Sequence, residues 1–219
     1  MFTMPSNTFT TIRRMTIAAA VSVLMATVLG ACSGVPVTSI PRLLRLNGQL
    51  LDAKPAEFMV AIQLDTRMTP PPGGVPVLEV TVEPREPGAF ASISKKVPMR
   101  LVDAIAGANE AVQLRAFGLD DAPKGRRWLV YHFGPESQAE LVRIQTAIKQ
   151  LLKDKQTGSG PGKGGGTSSV GIDQGGIPIR DPAYANTRWE SWLQTRQSEG
   201  FYELYSSTVG ALHKQAGGR

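Results

Sequence analysis

The chain has 219 residues, of which 42% are hydrophobic and 19% are charged, and it contains a single cysteine. This composition fits one globular domain with an appendage and excludes collagen-like and wholly disordered chains. One cysteine excludes an intrachain disulfide framework and a zinc site made of several thiolates. The formal net charge is +6, and since the basic residues are scattered singly or in pairs, we expect no nucleic-acid partner.

The N-terminal segment has the organisation of a secretory signal. Residues 1–14 contain no acidic residue and end in Arg13-Arg14, and an apolar run follows from Met15 to Leu29. The run is shorter than the ~20 residues that a membrane-spanning helix needs, so we do not expect a permanent transmembrane anchor. The arginine pair also permits twin-arginine export. Its flanking residues fit that pattern poorly, and we favour ordinary secretion while leaving the route open.

The end of this segment carries a more specific signal. The residues Leu29-Gly30-Ala31-Cys32 resemble the lipobox of bacterial lipoproteins. The resemblance implies that residues 1–31 are a signal peptide, that the Cys32 thiol receives a diacylglyceryl group, and that the new amino terminus is acylated. Each buried acyl CH₂ contributes ~0.8 kcal/mol of membrane affinity, so several chains on one residue form a lasting anchor. The alternatives are a plain signal peptide with an incidental cysteine and an uncleaved short anchor.

A lipid on Cys32 would make the membrane a partner of this chain. We expect a cell-envelope location, at the outer membrane rather than the inner one. Removal of residues 1–31 takes away two of the 24 basic residues and none of the 18 acidic ones, which leaves a net charge of +4. Such a mild excess supports only a weak attraction to anionic lipid headgroups or envelope polymers.

Residues 32–41 lack periodicity and are predicted to be a tether, followed by a single β-rich domain over 42–219. In residues 58–65, Phe58, Val60, Ile62 and Leu64 share one face of a predicted strand. In residues 77–83, Leu78, Val80 and Val82 oppose Glu79, Thr81 and Glu83. This alternation predicts two half-buried strands, and the proline-rich residues 69–74 predict a stiff loop between them.

Further strands are predicted along the rest of the chain. Pro98 is expected to place its strand at a sheet edge or a bulge, and Ser198-Glu199-Gly200 predicts a turn between the last two strands. The tail, residues 216–219, is expected to be frayed. The remaining predicted strands are Phe90–Ser94, Val97–Val102, Val112–Phe117, Trp128–Phe133, Trp189–Leu193 and Phe201–Tyr205.

One amphipathic helix is predicted over about residues 136–155. Gly134-Pro135 is a suitable entry, and Ser137 with Glu140 is an alternative capping box. Its apolar stripe is expected to pack on the sheet rather than to bind a membrane or a partner, and it consists of Leu141, Ile144, Ile148, Leu151 and Leu152.

A glycine-rich insert is predicted after this helix. Residues 157–176 contain nine of the 23 glycines, which predicts a flexible connection. Taken together, the predicted elements give a mainly β (α+β) fold, an antiparallel β-sandwich or an open sheet with one packed helix.

Two motifs come close to known catalytic patterns but miss required residues. Residues 157–164 lack the first glycine and the final hydroxyl of a phosphate-binding loop, so a soluble linker is favoured. Ser92-Ile93-Ser94-Lys95, with Tyr184-Ala185-Asn186, is similar to the motifs of serine penicillin-binding enzymes. That mechanism needs a helix at Ser92 and a K-T-G strand, whereas Ser92 lies in a strand-like run that points Ser92 and Lys95 to opposite faces.

The remaining candidate residues also have ordinary structural interpretations. His132 and His213 lack neighbours at metal-ligand spacing, so we expect no metal site and no cofactor. Asp120-Asp121 beside Lys124, Arg126 and Arg127 predicts a solvated turn with pairing between opposite charges. Five aromatic residues near the C-terminus form either core packing or a binding face for a sugar or a peptide, and they are Trp189, Trp192, Phe201, Tyr202 and Tyr205.

These observations favour a non-enzymatic lipoprotein of the cell envelope, a binding, scaffolding or assembly module. Its partner would be another envelope protein or a cell-wall polymer. The alternative is an envelope hydrolase whose catalytic residues are dispersed in the sequence. A cluster that joins His132 to a carboxylate and a hydroxyl would favour the hydrolase.

Overall fold

A computed structural model describes residues 48–102, 110–157, 166–173 and 182–217. All of them belong to one compact unit, Pro36–Arg219. The predicted signal peptide (1–31), Cys32 and the tether (32–41) lie outside the described residues. So do parts of the predicted glycine-rich insert, residues 158–165 and 174–176.

The described elements confirm a mainly antiparallel β fold of the α+β class. A short helical segment over residues 48–52 comes before the first strand, and one-turn 3₁₀ helices lie at Pro55–Glu57, Pro182–Tyr184 and Gln197–Glu199. The strands are β1 (Met59–Asp65), β2 (Val77–Pro84), β3 (Ile93–Pro98), β4 (Arg100–Leu101), β5 (Arg126–His132), β6 (Gly166–Asp173), β7 (Arg188–Gln194) and β8 (Tyr202–Thr208). The longer helices are α1 (Glu110–Ala116), α2 (Pro135–Thr157) and α3 (Val209–Gly217).

Five strands form one antiparallel sheet in the order β4-β5-β1-β7-β8. The predicted inward face of β1 is buried as expected, because Phe58, Val60, Ile62 and Leu64 are at most 1% exposed. The expectation that β1 is only half-buried is wrong. Its other face carries Met59, Ala61 and Gln63, which are all buried, and Met59 and Ala61 belong to a hydrophobic cluster with Leu114 of α1 and Leu119 after it.

Three strands form a second antiparallel sheet in the order β3-β2-β6. In β2 the alternation is as predicted, with Leu78, Val80 and Val82 buried and Glu83 exposed. These residues belong to the same hydrophobic cluster as the inward face of β1, so both sheets contribute to one core. Pro98 ends β3, which is an edge strand as predicted, and Ser137 Oγ of α2 donates to the Pro98 carbonyl at 2.8 Å.

The long helix α2 is confirmed and starts at Pro135. Gln138 N–H donates to the Gly134 carbonyl at 2.8 Å, so the helix enters through Gly134-Pro135 and Ser137 does not cap it. Leu141, Ile144 and Ile148 are buried as predicted, whereas Leu152, which was predicted to belong to the same stripe, is 45% exposed. The helical segment 48–52 docks on α2 because the buried Gln145 Nε2 donates to the carbonyls of Leu50 and Ala53.

Two predicted strands around residue 95 are one strand. β3 bridges the predicted gap between Phe90–Ser94 and Val97–Val102, and the chain then passes to the five-stranded sheet through the two-residue β4. The two lysines in this gap are exposed on opposite faces of the strand. Lys95 and Lys96 form ion pairs with Glu140 and Glu79 at 3.2 and 2.6 Å. The prediction treated these polar residues as a gap between two strands, but they belong to one continuous strand.

The predicted strand Val112–Phe117 is wrong, because these residues belong to α1 and its exit. Val112 is 68% exposed while Leu114 is 2% exposed, which is the pattern of a helix with one inward residue. Leu119 N–H donates to the Leu114 carbonyl at 2.9 Å, and Gly118, with a φ of 76°, ends the helix. Glu, Gln, Leu, Arg and Ala favour helix, and this preference outweighed the short alternation.

Two other expectations are wrong near the C-terminus. Residues 166–173, which were assigned to the flexible insert, form β6 and pair with β2 over eight residues. The prediction of a flexible connection was based on the glycine and serine content of this segment. It failed because the backbone hydrogen bonds that pair two strands do not require large side chains. Residues 216 and 217 of the expected frayed tail belong to α3. Within the described residues, no helix is long and apolar enough to cross a membrane.

Candidate functional site

Cys32, the predicted lipidation site, lies outside the described residues. The five C-terminal aromatic residues do lie within them, but they do not share one exposed surface. Trp189 and Tyr202 are 2% and 5% exposed and belong to the main core. Trp192 and Phe201 are partly buried against the second cluster, where the Trp192 ring meets the edge of Trp128 at a centroid distance of 5.9 Å. The prediction of one binding face made of all five residues is therefore wrong, because side chains alternate along the strands and these residues lie on both faces of the sheet.

The residues that were compared with penicillin-binding enzymes belong to separate elements, and Ser92 and Lys95 lack the required helix. Ser92 comes immediately before β3, and Lys95 lies within that strand. The Lys95 ammonium forms an ion pair with Glu140 instead of facing a serine. Tyr184 ends a 3₁₀ helix and packs its ring under Arg67.

The two histidines occupy separate elements. His132 ends β5, and its Nε2 accepts a hydrogen bond from Arg100 Nε at 3.1 Å. His213 lies in α3 and is half-buried. Among the residues that the structure describes, no three His, Cys, Asp or Glu side chains lie close enough together to hold a metal ion.

The charged turn around residue 120 has a different pairing from the one expected. Asp121 receives a hydrogen bond from Arg115 of α1 at 3.0 Å rather than from the bases that follow it. Trp128 Nε1 donates to the Asp120 carbonyl at 2.9 Å, which holds this turn over the second hydrophobic cluster. The acidic partner of Arg126 is therefore not in this turn but on another strand, β7.

That partner belongs to a charged network at one end of the five-stranded sheet. We call this the arginine network and define it as Asp65, Arg67, Arg126, Arg188 and Glu190. Asp65 and Arg126 are directly opposite each other on β1 and β5, and Glu190 of β7 is opposite Gln63 of β1. Because side chains alternate along each strand, Asp65, Arg126, Arg188 and Glu190 share one face of the sheet.

Asp65 and Arg67 form the outer pair of the arginine network. Arg67 Nε and Nη2 donate to the two oxygens of Asp65 at 2.9 and 2.7 Å, and the Arg67 backbone N–H adds a third bond at 2.9 Å. These bonds stabilise the carboxylate and lower the pKa of Asp65 from its ordinary value of 3.8 to about 2. The Arg67 guanidinium also lies 5.4 Å from the ring centroid of Tyr184.

Glu190 forms the inner part of the arginine network. Its carboxylate is 9% exposed and forms ion pairs with Arg126, at 3.2 Å, and with Arg188. Arg126 Nη2 also donates to the carbonyls of Gln63 and Arg188, at 3.0 and 3.3 Å. Arg126 therefore holds two neighbouring strands together, and the head group of Arg188 stays 62% exposed.

At the opposite end of the sheet, three bases form ion pairs with acids. Lys54, Arg196 and Arg115 pair with Glu57, Glu199 and Asp121 at 3.0, 3.5 and 3.0 Å, respectively. A polar surface cleft of about 510 Å³ lies here and is lined by Asp52, Lys54, Glu57, Arg196, Gln197 and Ser198. Glu57 accepts from Lys54 and from the Gln197 backbone N–H, and these bonds lower the pKa of its carboxyl group.

Sequence reasoning missed the arginine network because its three parts, Asp65 with Arg67, Arg126, and Arg188 with Glu190, lie about 60 residues apart along the chain. Only the Arg126-Arg127 pair was noted, and it was assigned to a turn. The usable signal was the strand register, which places the start of β5 beside the end of β1. No protein-family description, curated protein or solved structure matches this chain.

Proposed function

We propose that this chain is a lipid-anchored protein of the cell envelope that acts as a non-enzymatic binding, scaffolding or assembly module. The observation that carries the proposal is Leu29-Gly30-Ala31-Cys32, in which the only cysteine of the chain occupies the position that a lipid transferase would modify. The apolar run before it and the positive residues at its start supply the other parts of a signal peptide. The membrane is the first partner, and we place the protein at the outer membrane rather than the inner one.

A binding or assembly role fits the described domain better than hydrolysis does. The ring nitrogen Nε2 of His132 already accepts a hydrogen bond from Arg100, so it does not offer a free base to a substrate. Most charged side chains at the sheet ends form ion pairs with one another. Such pairing fixes these side chains in place, which suits a domain that binds a partner through a rigid surface. Its second partner would be another envelope protein or a cell-wall polymer.

Metabolic labelling with a radioactive fatty acid in a bacterial host tests the proposed anchor. We expect the parent chain to carry label and to appear in the membrane fraction in a processed form. Cys32→Ser should remove the label and leave an unprocessed precursor, since a hydroxyl is not alkylated in place of the thiol. Ser33→Ala is the matched control, because it changes the neighbouring residue and should leave labelling intact.

Equal labelling of the Cys32→Ser variant and the parent would contradict the proposal. Density separation of inner and outer membranes on the same samples tests the location. We expect the labelled protein in the outer-membrane fraction, and recovery only with the inner membrane would show that this part of the proposal is wrong.

A further inference from the structure

The arginine network has more guanidinium donors than acceptors. Arg67 and Arg188 expose 66% and 62% of their side chains, and their bonds to Asp65 and Glu190 involve Arg67 Nε and Nη2 and Arg188 Nε. Within the described ranges, Arg67 Nη1 and both terminal nitrogens of Arg188 have no hydrogen-bond acceptor. Each of the two guanidinium groups is thus held by a carboxylate through some of its nitrogens and exposes its remaining nitrogens to solvent.

Deeper in the same region, two further donors lack acceptors. Arg126 Nε and Arg127 Nε are buried without an acceptor among the residues that the structure describes. Arg127 Nη2 is held by the Met68 carbonyl at 2.6 Å. The Arg126 charge is paired with Glu190, whereas Arg127, which lies on the other face of β5, has no carboxylate partner among the described residues.

The charge count distinguishes this end of the sheet from the other one. Among the described residues, the carboxylates that pair with its bases are Asp65 and Glu190. Thr66 N–H donates to the Gly125 carbonyl at 3.0 Å, which brings the exposed Lys124 beside this end. The bases here are Arg67, Lys124, Arg126, Arg127 and Arg188. At the opposite end, Lys54, Arg115 and Arg196 each pair with one acid, and Arg100 donates to His132.

We propose that the arginine network is a contact surface for the phosphate groups of an anionic lipid headgroup layer, the layer to which Cys32 would be anchored. Guanidinium groups held by carboxylates present their remaining N–H donors in a fixed orientation, which suits the oxygens of a phosphate. Basic groups near an anionic membrane each contribute ~1 kcal/mol of attraction. The described chain enters at the opposite end of the sheet, next to the start of the seven-residue β1. The residues between Cys32 and Gly48, at up to about 3.5 Å each, can span more than the length of β1, so this end is within reach of the surface. The inference rests on the proposed anchoring.

The test uses the full-length protein in vesicles of phosphatidylcholine, with and without phosphatidylglycerol. Hydrogen exchange is measured by mass spectrometry in peptides that cover residues 65–68 and 184–190. We expect slower exchange there only in the phosphatidylglycerol vesicles, with the protection lost at about 0.5 M salt because exposed charges are then screened. Equal exchange in both kinds of vesicle would overturn the inference.

Variants separate charge from structure. Replacing both Arg67 and Arg188 with Gln should abolish the protection, since each arginine contributes about fivefold to the binding equilibrium. Replacing both with Lys should retain most of it, because the charge remains although the bonds to Asp65 and Glu190 are altered. The matched control, Arg115→Gln with Arg196→Gln, removes two charges from the opposite end and should keep the protection. Loss in the Lys variant equal to that in the Gln variant would show that the network has only a structural role.

Two more measurements complete the test. Inorganic phosphate is added to phosphatidylcholine vesicles, where we expect no protection; protection by free phosphate alone would contradict a membrane contact. The mass of Cys32 is determined on the same samples. A lipid-modified Cys32 without protection at residues 65–68 and 184–190 would overturn this inference and leave the anchoring proposal intact, whereas an unmodified Cys32 would reject the anchoring itself.

Discussion

Glu190 shows how one residue ties separate strands of the sheet together. It is a carboxylate in a mostly buried position, and it is stable there because Arg126 and Arg188 supply opposite charge and hydrogen-bond donors. Arg126 is itself only 17% exposed, so each group depends on the other for compensation of its burial. Removing one member of such a pair costs more than the pair contributes, because the remaining charge stays buried.

Glu190→Gln is therefore expected to lower the free energy of unfolding by about 2–4 kcal/mol. Chemical denaturation followed by circular dichroism measures the change. Glu199→Gln is the control, because Glu199 is exposed and its partner Arg196 lies 3.5 Å away. The control should change the free energy by less than about 0.5 kcal/mol. Similar effects of the two variants would mean that Glu190 is not compensated in the way described.

Asp65 predicts a pH dependence of stability. Its pKa in the folded protein is about 2, below the ordinary value of 3.8, because Arg67 stabilises the ionised carboxylate. A lowered pKa contributes stability above the unfolded-state value, and this contribution is lost as the pH falls from about 5 to about 2. The difference in melting temperature between the parent and Asp65→Asn should therefore shrink over that range. A constant difference from about pH 7 to about pH 2 would contradict this assignment.

Strand β1 shows what sequence alternation predicts and where it fails. The face of Phe58, Val60, Ile62 and Leu64 was evident because large apolar side chains repeat at every second position. The opposite face was not evident, because Ala61 is small and Gln63 is polar, although both are buried. Burial of that face depends on α1, which folds over the sheet from more than forty residues later in the chain.

Ala61→Asp tests the second buried face. An unpaired carboxylate at this fully buried position costs several kcal/mol, a large part of a total stability of about 5–15 kcal/mol, so the domain should unfold. Ile62→Asp, on the first face, should unfold it for the same reason. The control is Glu83→Lys in β2, whose side chain is exposed, and it should melt like the parent. If Ala61→Asp melts like the control, β1 has only one buried face.

Strand β6 shows a second limit of sequence reasoning, because its small residues resemble those of a linker. Two glycines of this strand, Gly166 and Gly171, differ in the space available for a side chain. A Cβ atom on Gly166 would lie 2.9 Å from the Glu83 carbonyl oxygen and 2.9 Å from the Phe90 ring, whereas a Cβ on Gly171 would meet nothing within 4 Å. Gly166 is therefore required by the close approach of β2, and Gly171 is not.

Gly166→Ala is expected to destabilise the protein by about 1–3 kcal/mol, because a backbone oxygen has to shift. Gly171→Ala should be neutral or stabilising by up to about 1 kcal/mol, since alanine restricts the unfolded chain. Thermal melts of both variants provide the comparison within one strand. Equal melting temperatures would show that β6 does not pair with β2 as closely as described.

At the scale of the whole molecule, the proposed anchor is inferred from the sequence of the N-terminal segment, whereas the arginine network is observed only in the folded domain. The proposed signal peptide and lipobox are inferred from the order of residues 1–32 alone, because a transferase and a peptidase recognise a linear segment. The arginine network depends on strand register, and its members at 65, 67, 126, 188 and 190 become neighbours only after the sheet forms. The proposed anchor thus rests on the sequence, and the proposed phosphate contact adds an observation of the fold to it.

The central claim is that Cys32 is the lipid-bearing first residue of the mature protein. Mass spectrometry of the N-terminal peptide from protein purified out of bacterial membranes tests it most directly. We predict a peptide that begins at Cys32 and carries the mass of a diacylglyceryl group on the thiol and an acyl group on the amino terminus. A mature N-terminus at another residue, with an unmodified Cys32, would contradict the claim.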